Sequence, residues 1–216
     1  MTLPTTNSQT IPLAVHRPVL AVVLAAGLSR RMGSVNKLLQ NVEGEPMLRQ
    51  VTRHLLASRC DRVAVIVGYE ADLVRDALTG LSVDFVQNPD FHEGMAASVR
   101  AAADAARQGE AILICLGDMP YVSTEIVNAI VDAYRATASE EEVAAFQPLF
   151  EGRSGNPVLW APHTVSLLKD LEGDEGARGI LKRLGNAVRP VPVQHDGIFL
   201  DIDTPEMLAQ VRESRK

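Results

Sequence analysis

Three short stretches of the 216-residue chain carry residue types that could do phosphate chemistry. The first, residues 24–37, reads LAAGLSRRMGSVNK and follows the apolar run PVLAVVL. Small residues after a buried strand let backbone N–H groups approach an anion, and Arg30, Arg31 and Lys37 supply positive charge. No GK[ST] follows the glycines and no GxGxxG is present, so neither a P-loop nor a dinucleotide fingerprint is written here. A solvated basic loop would have the same composition. The second stretch, Gly117-Asp118-Met119-Pro120, directly follows the run AILICL. A carboxylate at the end of a buried strand is costly to desolvate unless it is paired, hydrogen-bonded or bound to a cation, although a plain turn or helix cap needs an Asp as well. The third is Asp201-Ile202-Asp203-Thr204-Pro205-Glu206. In an extended segment Asp201 and Asp203 face the same way; alternatively Asp203 or Thr204 caps a helix that has Pro205 in its first turn. Three carboxylates converging on Mg²⁺ beside a cationic phosphate loop would make a nucleotidyl-transfer site.

The elements that would position these residues alternate between strand and helix. Continuous apolar runs at 18–24, 62–68 and 111–116, with a shorter one at 83–86, predict strands buried on both faces. Between them, helical spacing places Met47, Leu48, Val51, Leu55 and Leu56 on one stripe, and Ile126, Val127, Ile130, Val131 and Tyr134 on another. Residues 95–106 form an Ala-rich helix, and Leu73, Val74, Ala77 and Leu78 mark a shorter one. Repeated strand–helix units predict an α/β fold with a mostly parallel sheet and helices on both faces. Beyond about residue 140 the pattern loosens, with strand candidates EVAAFQPLF and VRPVPV, a GRSGNPVLW turn, and FLDIDTPEMLAQVRES as a strand running into a helix. Residues 1–17 read as a flexible leader and 18–216 as a single domain.

Composition narrows the function. With 46% hydrophobic and 22% charged residues, the chain is that of a soluble globular protein. A net charge of −6 argues against general binding to nucleic acid or an anionic membrane. No stretch approaches the length of a membrane span. Cys60 and Cys115 form no close-spaced ligand pair, and a reducing, cytoplasmic setting is expected. The five histidines are scattered. No Ser-His-Asp or Cys-His arrangement stands out; His92 alone precedes a candidate site loop, and Trp160 reads as a packing residue.

Together with EGMAASV, RSGNPVLW and GDEGARGIL, the three stretches resemble the MobA/MocA-like nucleotidyltransferases, most closely the molybdenum cofactor cytidylyltransferase branch. Six motifs in order, from about residue 20 to 208, carry the resemblance. It implies a three-layer, Rossmann-like fold of the GT-A type. Leu24, Ala25, Ala26 and Gly27 would line the nucleotide pocket, with Gly94 and Ser98 nearby. Arg31 and Lys37 would bind the triphosphate. Asp118 would be the main Mg²⁺ ligand, completed by Asp203 and, less directly, Asp201. Asn156 and the 174–178 loop, with Asp174 and Arg178, would face a second substrate. LAAG rather than LAGG in the first loop resembles the cytidylyl branch, so CTP and a phosphorylated pterin are the implied substrates, with a molybdoenzyme as recipient of the product. A guanylyltransferase on the same cofactor, a relative acting on sugar phosphates or other small phosphates, and a non-catalytic delivery chaperone are the other readings.

Overall fold

A computed structural model describes residues 16–29, 35–137, 142–173 and 176–213. Arg30, Arg31, Asp174 and most of the expected leader therefore lie outside the described residues. At the leader's end, Arg17 donates to the Tyr134 and Thr137 carbonyls at 2.6 and 2.8 Å.

The chain opens with strand β1 (Val19–Ala25), then a two-strand hairpin β2 (Asn41–Val42) and β3 (Glu45–Pro46), and helix α1 (Met47–Leu56). It continues through β4 (Arg62–Val67), α2 (Ala71–Ala77), β5 (Asp84–Gln87), α3 (Met95–Ala105), β6 (Ala111–Leu116) and α4 (Thr124–Arg135). The C-terminal part holds β7 (Ala145–Phe150), β8 (Arg153–Ser154), β9 (Val158–Trp160), α5 (Val165–Lys169), α6 (Arg178–Leu184), β10 (Val188–Pro192) and α7 (Pro205–Glu213).

The main sheet runs β10-β7-β9-β6-β1-β4-β5, with β8 paired to β7. Its path is parallel except where β9 runs antiparallel between β6 and β7. Alternation along β1 explains the layers. Val19, Ala21, Val23 and Ala25 point into one core with α1, α2 and α4, while Leu20 and Val22 point into the other with α3, α5 and α6. A strand covered on both faces must be apolar at every position, which is why VLAVVLA shows no polar alternation. On α1, Leu48, Val51 and Leu55 are each at most 2% exposed, each contributing roughly 1.5–3 kcal/mol by burial. The three-layer, mostly parallel α/β architecture is as the sequence implies.

Three details differ from the sequence reading, the first being that GRSGNPVLW, read as a turn, holds β8 and the antiparallel strand β9. The β2–β3 hairpin was not anticipated; its turn residues Glu43 and Gly44 both have positive φ, +53° and +95°, the left-handed pair that two-residue hairpins favour. The C-terminal approach to α7 is not a strand. Residues Asp196–Phe199 form a 3-10 turn, and 200–203 are irregular. The sheet edge there is already taken by β10, so this strap instead makes single backbone ties: the Asn156 N–H donates to the Ile198 carbonyl, and the Ile202 N–H to the Asp118 carbonyl, both at 3.0 Å.

Candidate active site

Chain order reverses between β1 and β6. From β1 the chain passes to β4 on one side, and only later returns to β6 on the other, where Leu24 pairs with Leu116. Open α/β sheets form their ligand crevice at such a point, beyond the carboxyl ends of the strands. A cavity of about 380 Å³ opens there, and Leu24, Ala26, Gly27, Gly94, Ser98 and Asp118 line it. Of the residues assigned to the nucleotide, Ala25 is the one absent from this wall; it turns into the opposite core at 1% exposure.

Close packing shapes the cavity floor. A Cβ on Gly68 would lie 2.6 Å from Phe91 Cβ, and one on Gly117 would lie 2.9 Å from the Leu24 carbonyl. Gly94 precedes α3 with φ +101° and ψ −166°, a conformation essentially reserved for glycine. Ser98, one turn into that helix, accepts a 3.1 Å hydrogen bond from buried Asn88. Its own hydroxyl proton is thereby left to donate, so the Ser98 wall suits an acceptor such as a phosphate or a base carbonyl. His92 also lines this cavity.

A second cavity, about 860 Å³, adjoins the first and shares Gly27, Lys37, Met95 and Asp118 with it. Asn156, Arg178, Asp201 and Asp203 face it, with Trp160 and Leu181 among its apolar wall. Trp160 is 1% exposed and belongs to the core, in keeping with its packing role.

Lys37 stands where the cavities meet. Its Nζ donates to Asp118 Oδ2 at 2.5 Å and also to Asp203 Oδ1. Burial would lower the Lys37 pKa, but the two carboxylates outweigh burial and hold it above the usual lysine value. Burial dominates at Asp118 and raises its pKa despite the Lys37 charge. Local structure fixes the lysine backbone: Asn36 Oδ1 accepts from the Leu38 N–H at 3.1 Å, and Ser29 Oγ accepts from the Lys37 N–H at 3.2 Å. These two holders were not among the expected site residues. Asn36 could have been found as an N-cap-type residue; Ser29, at φ +49° in a loop, has no such signal.

The expected convergence of three carboxylates is not what forms. Among the described residues no three His, Cys, Asp or Glu side chains stand together as a ligand set. Asp118 and Asp203 meet on Lys37 instead, and Asp201 lies on the wall of the larger cavity. Without a strand at 199–203, the alternation that would have aligned Asp201 with Asp203 does not exist. A divalent cation nonetheless fits the donor chemistry. Asp118 Oδ1 is buried and lacks a hydrogen-bond partner among the described residues, and Mg²⁺ commonly takes one or two carboxylates and completes its shell with water and substrate phosphates.

The model of the MobA-like NTP transferase domain matches residues 21–188. The chain belongs to that family. Among curated relatives, purine catabolism protein PucB of Bacillus subtilis is 31% identical over 91% of this chain and 97% of its own length. Molybdenum cofactor cytidylyltransferase of Escherichia coli is 27% identical over 89% and 94%. Bifunctional protein GlmU of Sphingopyxis alaskensis is 31% identical over 77% of this chain, which spans 37% of that longer protein. Names vary within this set of relatives: nicotine blue oxidoreductase of Paenarthrobacter nicotinovorans is 27% identical over 88% of the chain. The crystal structure of Rv0371c from Mycobacterium tuberculosis superposes with a TM-score of 0.79 at 26% identity, covering 91% of this chain and 98% of that one. The same protein has been solved as a manganese complex. This MobA-like chain is thus a nucleotidyltransferase by family, with its crevice at the position the fold reserves for ligands. No helix among its described residues is long and apolar enough to cross a membrane.

Proposed function

We propose that this MobA-like protein transfers CMP from CTP to the phosphate of molybdopterin, releasing pyrophosphate, with Mg²⁺ as its cofactor. One observation carries the reading: a half-buried lysine held by two carboxylates at the junction of two adjoining cavities. One cavity suits the nucleotide, the other the acceptor, and the junction is where the reacting phosphates would meet.

The residues divide the work accordingly. The Ala26–Gly27 turn, with Gly94 and Ser98 at the start of α3, would present small side chains to the nucleotide. Lys37, protonated throughout the neutral range, supplies positive charge to the triphosphate as pyrophosphate departs; Arg31 is proposed to assist it. Asp118 and Asp203, with Asp201 nearby, would hold the ion, whose chemistry is to neutralise phosphate charge and align the two anions. Arg178 and Asn156 face the larger cavity, where a guanidinium and an amide can orient an anionic heterocycle; Asp174 is assigned to the same wall. An acceptor phosphate is already anionic near pH 7, so no strong general base is needed, and positioning does most of the catalysis. One relative, named molybdenum cofactor cytidylyltransferase, supports the choice of substrates.

Pyrophosphate release by the purified protein tests this, with CTP, GTP, ATP and UTP, each with and without molybdenum-loaded molybdopterin. Release with CTP that depends on the pterin is expected. Release with GTP would move the protein to guanylyl transfer, and tight pterin binding with no release from any nucleotide would identify a carrier.

A further inference from the structure

Lys37 does something in this structure that a triphosphate ligand need not do: it occupies the carboxylates. Its Nζ contacts Asp118 Oδ2 and Asp203 Oδ1, and the three side chains are 17%, 15% and 24% exposed. One ammonium thus serves two carboxylates in a largely desolvated pocket. Asp118 retains one buried oxygen with no partner among the described residues, so the pair is incompletely satisfied by the lysine. The backbone of Lys37 is tied down by Ser29 and Asn36, but its side chain lines both cavities. The arm can therefore change partners while its turn stays in place.

We infer that Lys37 is a resident cation: it occupies the Asp118–Asp203 pair before loading, hinders a divalent ion from settling there alone, and passes to the triphosphate when nucleotide arrives. The inference rests on the proposed nucleotidyl-transfer reading of the site and adds an order to it. An ion approaching without nucleotide meets an ammonium already seated on both carboxylates. With a triphosphate present, the ammonium moves to phosphate oxygens and both carboxylates are released together. Ion and nucleotide then favour each other's binding, as linkage requires.

The experiment uses Mn²⁺ alone as the probe, titrated into the full chain without nucleotide and followed by electron paramagnetic resonance. Lys37→Met removes the charge and keeps an unbranched arm one atom shorter; Lys37→Arg keeps the charge. Lys37→Met is expected to bind Mn²⁺ roughly tenfold or more tightly than the native protein, the scale of removing a unit charge beside a divalent ion. Lys37→Arg should stay close to native, and adding Asp118→Asn to Lys37→Met should remove the gain. Near-ultraviolet circular dichroism checks that each variant is folded, and Lys37→Gln replaces the methionine variant if that one is not. Equal Mn²⁺ affinity in native and Lys37→Met protein, with binding lost in Asp118→Asn, overturns the resident-cation role and leaves the metal site standing. Absence of Mn²⁺ binding to Asp118 in every variant overturns the metal assignment and this inference with it.

Discussion

The strap that carries Asp203 should be a mechanical control on catalysis, and Gly197 is the place to test it. Gly197 is a buried residue of the strap itself, and a Cβ built on it would sit 2.3 Å from the Tyr121 carbonyl oxygen and 2.9 Å from its carbon. Both are backbone atoms, so no flexible side chain can swing aside. To reach even a 3.0 Å contact the strap must retreat by about 0.7 Å. Nearby ties limit where that movement can go. The Ile198 carbonyl accepts from the Asn156 N–H, and the Ile202 N–H donates to the Asp118 carbonyl, so displacement is passed toward Asp203 and the Lys37 junction. Overpacking of this kind costs about 1–3 kcal/mol of stability, and a shift near 1 Å in a positioning group can cost ~10²-fold in rate. Gly197→Ala is therefore expected to lower pyrophosphate release by roughly two orders of magnitude while the protein stays folded at 25 °C. Thermal melting and steady-state rates measured on the same preparation check both halves. A folded Gly197→Ala protein with native turnover would refute the claim that the strap positions the site.

Other outcomes follow from the same coordinates. Asp118→Asn keeps the shape but removes the charge facing Lys37, and should reduce turnover at least ~10²-fold with a melting temperature near native; undiminished pyrophosphate release would remove Asp118 from the machinery. At the other end of the sheet, Glu110 is 6% exposed and accepts from Arg62 twice at 3.0 Å and from the Arg107 N–H at 2.7 Å. Burial alone would raise its pKa, but these donors hold it below the usual glutamate value. The folded state thus binds this proton less readily than the unfolded chain does. Its stabilisation is complete above the ordinary glutamate range near ~4.3 and fades as pH falls through the lower folded value. Glu110→Gln should cost about 3 kcal/mol at pH 7 by urea unfolding and progressively less in acid, with turnover per folded molecule unchanged because Glu110 sits far from the strand ends that carry the site. A cost that does not shrink in acid would contradict the ionised pairing. Burial pushes the Cys60 thiol up to about 11 and raises the Cys115 thiol well above the usual thiol range, so native protein at pH 8 should react slowly with iodoacetamide and rapidly after urea; fast native alkylation would show that Cys60 is open to solvent.

How much of this was written in the chain follows from how far each signal reaches. Strands covered on both faces are uninterrupted apolar runs, so β1, β4 and β6 announce themselves, as do the amphipathic stripes of α1 and α4. Two of the three loops that matter begin at the ends of such runs, which is why Gly27, Lys37 and Asp118 could be singled out before any geometry was known. Convergence was not readable. Asp118 and Asp203 are 85 positions apart in the sequence, and their meeting depends on β6 lying beside β1 and on a strap that folds back over the loop after β6. Sequence alternation placed Asp201 beside Asp203; in the fold both line the larger cavity and Asp203 contacts Lys37, on a strap tied by single hydrogen bonds instead of a ladder. Nothing in the residue order could say that Lys37 would bridge the two carboxylates, since that contact joins segments distant in sequence and its strength comes from shared burial. Residue types determined that phosphate chemistry was possible; the packing of strand ends decided which charges face one another, because electrostatic partners are set by distance and desolvation in three dimensions.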